Sequence, residues 1–220
     1  MKTLSKTLLA SAIIAAGSTG ANIAHADLSA NAGFVSDYYF RGSNLGDAGL
    51  YAGLDYENGG FYAGTWWIDD GTGGNDGLEQ DFYFGYGLDV SGVSLGLGYT
   101  RYEYTNSGDF EHEINFTAGF GAFGFEYSTG EDDDDGAEET DYDFIALSWS
   151  GDVFGATVGT FENDDTDDSY DYIELSASGE VAGLDATISI GQTSNAESGG
   201  VSGESGDGYM VLDISKSFDL

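Results

Sequence analysis

Apolar and polar residues alternate along most of the chain beyond residue 27, most simply at its C-terminal end. Over Gly208 to Leu220, one parity carries Met210, Leu212, Ile214, Lys216, Phe218 and Leu220, and the other Val211, Asp213, Ser215, Ser217 and Asp219. A period of two is a strand with one apolar and one polar face. In lipid such a strand cannot keep an open edge, because unpaired backbone N–H and C=O groups are costly there. The pattern therefore predicts a closed barrel in which the last strand pairs with the first.

Twelve runs of this kind predict an all-β fold, an antiparallel transmembrane β-barrel of twelve strands. The first is read over residues 28–41, with Phe34, Tyr38 and Phe40 outward and Asp37 and Arg41 inward. Runs over residues 48–57, 61–69, 78–88, 93–104, 110–120 and 123–128 follow. The sixth alternates most cleanly, with Phe110, His112, Ile114 and Phe116 against Glu111, Glu113, Asn115 and Thr117. Later runs over residues 141–150, 153–161, 170–178 and 184–193 keep a less tidy parity, and a bulge is expected between Tyr142 and Ile145.

The connections alternate too. Short turn signals at residues 58–60, 89–92, 121–122, 151–152 and 179–183 come after every second strand. Most of the others are longer, and several are acidic: Gly130 to Thr140 holds seven acids and Glu162 to Asp168 five. Short turns on one rim and long loops on the other predict an outer-membrane barrel with both termini on the periplasmic side. Aromatics near run ends, among them Tyr38-Tyr39-Phe40, Trp66-Trp67, Tyr102, Trp149, Phe161 and Tyr209, are expected to form interfacial girdles. A soluble β-protein would place the same aromatics in its core.

Residues 1–26 fall outside this pattern. Lys2 and Lys6 precede an apolar stretch from Leu8 to Ala16, and Ala24-His25-Ala26 ends it, which predicts a secretory signal peptide cut between Ala26 and Asp27. Residues 27–220 then form one barrel domain. Removing the leader leaves Arg41, Arg101 and Lys216 against 40 acids, a formal balance of 3 − 40, or −37. So acidic a chain has no basic surface for nucleic acid. With no cysteine, disulfides, thiolate metal sites and cysteine nucleophiles are excluded. No cofactor is expected.

Over Leu28 to Tyr104 the chain carries Asn31-Ala-Gly-Phe-Val-Ser-Asp-Tyr-Tyr-Phe-Arg-Gly42, Gly60-Phe-Tyr-Ala-Gly-Thr-Trp66 and Asp81-Phe-Tyr-Phe-Gly-Tyr86. These strings resemble the TorF-type porin family of Gram-negative bacteria. The resemblance implies an outer-membrane barrel acting as a porin. It loosens beyond Tyr104, and the proline often found after the Arg-Gly pair is absent, so the first outer loop is expected to differ in shape.

Twelve tilted strands leave a narrow bore once side chains enter it. Inward glycines such as Gly33, Gly53, Gly85, Gly96, Gly98 and Gly119 either widen the bore or relieve strand coiling. Asp37, Asp55, Asp81, Glu113, Glu126, Glu174, Asp185 and Asp213 share inward parity, with Arg41 as the strand-interior base among them. A carboxylate-lined lumen concentrates cations and repels anions, so these nine residues are the expected pore lining and cation preference is the expected selectivity. Arg41 is expected to pair with Asp37. The alternative is a closed structural or binding barrel acting through its acidic loops.

Catalysis is not expected. His112 is the one histidine beyond the leader, and Phe-Glu-His-Glu-Ile-Asn-Phe lacks the string of outer-membrane phospholipases. Glu131 to Gly136 begins like a calcium-binding EF-hand loop, but Tyr142 stands at the position that needs a bidentate Glu. High-affinity metal binding is therefore not expected, and Asp132, Asp133, Asp134, Asp135, Asp164 and Asp165 remain candidates for loose divalent binding. Arg101 and Lys216 have outward parity near opposite rims and could snorkel to lipid head groups, Arg101 to lipopolysaccharide phosphate. The expected partners are outer-membrane lipid, lipopolysaccharide and small solutes or cations, with a homo-oligomer open.

Overall fold

The computed structural model of the protein describes residues 27–69, 77–105, 109–133, 140–163, 169–194 and 208–220. The expected signal peptide, residues 1–26, lies outside them. Twelve antiparallel wall strands close a barrel in chain order. They are β1 (Asp27–Val35), β4 (Gly49–Asn58), β5 (Phe61–Asp69), β6 (Leu78–Val90), β7 (Val93–Tyr104) and β8 (Phe110–Phe120). The remaining six are β9 (Phe123–Asp133), β10 (Thr140–Ser150), β11 (Phe154–Asn163), β12 (Tyr170–Val181), β13 (Leu184–Ser194) and β14 (Gly208–Asp219). The seam joins β1 to β14 from Ser29↔Asp219 to Val35↔Asp213, so the last strand closes on the first as its pattern predicts. Every wall strand thereby has two neighbours, which removes the edge that lipid would penalise.

Side-chain parity makes the two faces. Leu50, Leu97, Leu147, Ile190 and Met210 stand exposed on the outside, in a band that only hydrocarbon would cover. Phe61, Tyr86, Phe120, Phe123 and Phe154 add an exposed aromatic girdle toward the short-turn rim. Tight turns there follow the predicted positions: Gly59-Gly60 and Ser91-Gly92 both adopt positive φ, as a two-residue hairpin turn requires. The ninth strand runs on to Asp133, past the Ser128 end read from its pattern.

The first strand is where the sequence reading fails. β1 stops at Val35, and the chain turns through Ser36-Asp37 into a small separate hairpin, β2 (Tyr38–Phe40) and β3 (Ser43–Gly46), before β4 begins. Ser36 ties the loop base to β14: its N–H donates to Leu212 O at 2.9 Å, and its Oγ accepts from Leu212 N at 2.9 Å. Tyr38 and Phe40 are therefore not lipid-facing. They sit within the lumen, because this first long-rim loop folds into the barrel.

Other expectations change with it. Trp66, Tyr102 and Tyr209 were expected in an interfacial girdle, yet their rings pack against hairpin rings Tyr38, Phe40 and Tyr39 respectively. Phe161 packs inward against Tyr142. Trp67 and Trp149 do face outward. The register of β10 is continuous on both sides, so no bulge occurs at Tyr142 to Ile145. Its parity looked irregular because the inward face carries Tyr142 and Phe144, aromatic rings that serve as seats inside the barrel.

Inward glycines, Gly33 and Gly85 among those read as space, also seat rings of the neighbouring strand. Six of them stand directly across a strand pair from a tyrosine, as Gly33↔Tyr51, Gly64↔Tyr83, Gly85↔Tyr62, Gly130↔Tyr142, Gly159↔Tyr172 and Gly191↔Tyr209. In each pair the ring lies over the glycine, where a Cβ would collide with it. Glycine on one strand thus lets a tyrosine of the next lie flat along the inner wall.

Candidate functional site

The hairpin's turn is the two residues Arg41 and Gly42, with φ of 50° and 82°. Two successive positive φ values match the twist of a β-hairpin. Glycine adopts this geometry freely, whereas arginine bears a strain of about 1–2 kcal/mol. Strain of that kind persists where the surroundings over-determine it, and here they do.

Arg41 is buried at 6 % exposure and grips the wall opposite the hairpin's root. Its Nη1 donates to Glu113 Oε2 at 2.7 Å and its Nη2 to Glu113 Oε1 at 2.9 Å, a bidentate pair with β8. Nη2 also donates to Glu126 Oε1 at 2.8 Å and Ser128 Oγ at 3.0 Å on β9. The guanidinium lies 4.2 Å from the centroid of Phe144 on β10, a cation–π contact. Glu113, 1 % exposed, accepts further bonds from Tyr102 Oη (2.7 Å), Asn115 Nδ2 (2.6 Å) and Tyr142 Oη (3.2 Å). A carboxylate so completely bonded satisfies the requirement for burying charge.

The rest of the hairpin reaches the other strands. Tyr38 Oη donates to Glu79 Oε1 on β6 at 2.7 Å, and Tyr39 stacks on Tyr209 of β14 with centroids 4.1 Å apart. Gly42 O accepts from Thr193 Oγ1 on β13 at 2.6 Å, and Tyr172 of β12 fills the space a Cβ there would need. The loop is therefore a crossbar of the lumen, fastened to its walls all round.

All nine residues read as pore lining lie on the inner side, in different roles. Arg41 comes from the hairpin turn, not from a wall strand, and its partners are Glu113 and Glu126 instead of Asp37. The expected pairing failed because β1 ends before Asp37, so the two residues never share a strand face. Asp81 is buried on β6. Asp55 accepts from Asn31 Nδ2 at 3.2 Å and from Tyr83 Oη. Asp37, Glu174 and Asp213 line a cavity of about 50 Å³ on the other flank of the hairpin, with Tyr38, Tyr39, Trp66, Thr187 and Ser189. Asp185 lies near it, across the strand pair from Ser215.

On the outer face, Arg101 pairs with Glu103 at 2.7 Å and covers the Phe110 ring at 3.9 Å. His112 Nε2 lies 3.4 Å from Glu131, and its ring neighbours are Tyr99 and Phe110. Lys216 Nζ donates to Gly183 O at the short-turn rim, at 2.6 Å. Asp132 is on β9 across from Glu111. Asp134, Asp135, Asp164 and Asp165, and the Asp133 side chain, lie outside the described residues. Among the described residues no group of three or more histidine or acid side chains converges as metal ligands.

Sequence reasoning missed the hairpin, though two signals were present. A first strand of residues 28–41 exceeds the roughly 9–11 residues that a tilted strand needs to cross. Tyr38-Tyr39-Phe40 before Arg41-Gly42 is also an aromatic strand entering a glycine turn.

Comparison with known proteins adds likeness in shape. OccD3 (OpdP) of Pseudomonas aeruginosa is similar at 12 % identity and a TM-score of 0.49, over 88 % of this chain and 65 % of that one. An anion-selective porin of Comamonas acidovorans is similar at 12 % identity and a TM-score of 0.32, over 89 % and 98 %. Among curated proteins no match is found. A family model does match, over residues 19–202, and the chain accordingly belongs to Gcw_chp, a family of bacterial proteins of unknown function.

Proposed function

We propose that the protein is an outer-membrane channel of porin type, constricted by its first long loop and selective for small cations and neutral solutes. The carrying observation is the division of the lumen by the β2–β3 hairpin. Arg41 neutralises the flank at β8–β10, while Asp37, Glu174 and Asp213 line a cavity on the flank at β12–β14 that holds no basic side chain. A water needs at least about 10–15 Å³, so that cavity has room for a few at most. A cavity of that size suits small species, and the carboxylates there attract cations and repel anions. The resemblance of residues 28–104 to TorF-type porins supports the same reading. No residue changes its covalent state in it. Arg101, at the long-loop end of the outer face, is the base we assign to lipopolysaccharide phosphate.

A second reading draws on the same hairpin. A crossbar bonded to so many wall strands also suits a closed barrel acting through its acidic outer loops. The reversal potential of the refolded protein in a planar bilayer under a potassium chloride gradient separates the two. The channel reading expects a small conductance with a cation-directed reversal potential, reduced in Asp37→Asn. An anion-directed potential overturns the selectivity, and folded protein without conductance establishes the closed barrel.

A further inference from the structure

The root of the hairpin rests on a pair of acids that Arg41 does not reach. Tyr38 Oη donates to Glu79 Oε1 at 2.7 Å, both residues being buried, and Glu79 stands two positions from Asp81 on the inner face of β6. The Glu79 and Asp81 carboxyls are within hydrogen-bonding reach of each other. Ionised carboxylates only accept hydrogen bonds, so a bond between the two exists only when one of them carries a proton. Asp81 is 1 % exposed, and its Oδ1 makes no hydrogen bond.

The surroundings offer no cation to take the place of that proton. β5 sets Ile68 across from Glu79 and Trp66 across from Asp81. β7 sets Tyr104 and Tyr102 at the same two positions, β8 beyond it adds the Glu111 and Glu113 carboxyls, and the hairpin adds the Tyr38 phenol. Arg41 is engaged by Glu113 and Glu126. Ionising both Glu79 and Asp81 therefore places two like charges side by side in a space closed to water, with further acids facing them. Two carboxyls in that position share a proton, as paired carboxyls do wherever like charges cannot both be solvated. Outside the wall the same height carries Gln80 and Glu103, so the pair lies at the long-loop rim beyond the apolar band.

We propose that Glu79 and Asp81 share one proton while the hairpin is docked, and that its loss to solvent at alkaline pH releases Tyr38 from β6 and admits water beneath the hairpin. The docked state holds the proton and the hydrated state gives it up, so docking is favoured on the acid side and weakens as pH rises. The hairpin pairs with no wall strand and joins the wall through residues 36–37 and 47–48, so its root can loosen while the barrel stays closed. Release needs no open path and stands apart from conduction. A larger conductance in the alkaline state follows only where the channel reading also holds.

The test uses full-length mature protein refolded in detergent micelles, with Trp67→Phe and Trp149→Phe leaving Trp66 as the fluorescent reporter. Trp66 packs against Tyr38 with ring centroids 6.0 Å apart, so acrylamide quenching of Trp66 reads the docking of the root. Quenching is followed from about pH 5 to about pH 9, between the ordinary ranges of carboxyls and tyrosines. The reporter protein is expected to show a severalfold rise in quenching toward the alkaline end while its heat-modifiable migration is unchanged. Asp81→Asn supplies an amide N–H to Glu79 in place of the shared proton, and its quenching is expected to stay low throughout. Glu79→Gln keeps an acceptor for Tyr38 and donates to Asp81, so it gives the same flat profile and serves should Asp81→Asn fail to fold. A flat profile in the reporter protein, a rise that comes only with loss of the folded band, or the same rise in either folded amide variant overturns the proposal.

Discussion

On one side of the hairpin, Glu113 and Glu126 share the Arg41 guanidinium, and Tyr102, Asn115 and Tyr142 complete the bonding of Glu113. On the other side, Asp37, Glu174 and Asp213 surround a cavity that no basic side chain lines. Both flanks belong to the same acid-lined lumen and are built from the same kind of strand. What separates them is where a single cation lands. Arg101 and Lys216 lie on the outer face, so Arg41 supplies the positive charge of the described lumen, and the Arg41-Gly42 turn aims it at β8 and β9. Carboxylates within its reach become a latch, and those beyond it keep their negative field.

The sharpest way to break this contrast is Arg41→Ala. It leaves Glu113 buried and uncompensated, with an expected loss of about 3–5 kcal/mol in the stability of the folded barrel. Urea unfolding in micelles measures it, and conductance should rise as the latch opens. Neutralising one acid on each flank gives a finer comparison. Glu113→Gln should cost about 1.5–3 kcal/mol, because charge-assisted bonds to Arg41 are lost. Asp213→Asn orphans no cation and keeps an acceptor for Tyr51, so it should cost less than about 1 kcal/mol in the same assay. Equal losses would show that Arg41 does not distinguish the flanks. A further comparison concerns the hairpin's seat. Gly159→Ala pushes Tyr172 off the wall beside Gly42, at about 1–3 kcal/mol of overpacking. Gly179→Ala, with nothing within 4 Å of the added Cβ, should be near neutral in thermal melts.

Much of the inner wall could be read correctly as inward while its purpose could not. Tyr142 and Phe144 disturbed the apparent parity of β10, and a bulge seemed the reason. In the barrel they are regular inward residues, and Phe144 faces Arg41. Gly33 and Gly85 look like space when considered one strand at a time, yet each is a seat for the tyrosine across from it. Glu113 and Arg41 were both legible as lumen residues. Their union spans 72 positions and depends on a loop turning inward, which a pattern of neighbouring residues cannot encode.

The alternation of side chains by itself determined the closed antiparallel barrel, its twelve strands, the β1–β14 seam and the rim that carries the short turns. Those features follow from local chemistry, since a period of two assigns each residue to one of two faces and lipid forbids an edge. Only the tertiary structure decided what occupies the space those faces enclose. The β2–β3 hairpin, the partners of Arg41 and the cavity at Asp213 arise from contacts between strands far apart in the chain. Period two says which way a side chain points, and the closed ring brings opposite walls within reach of what stands between them.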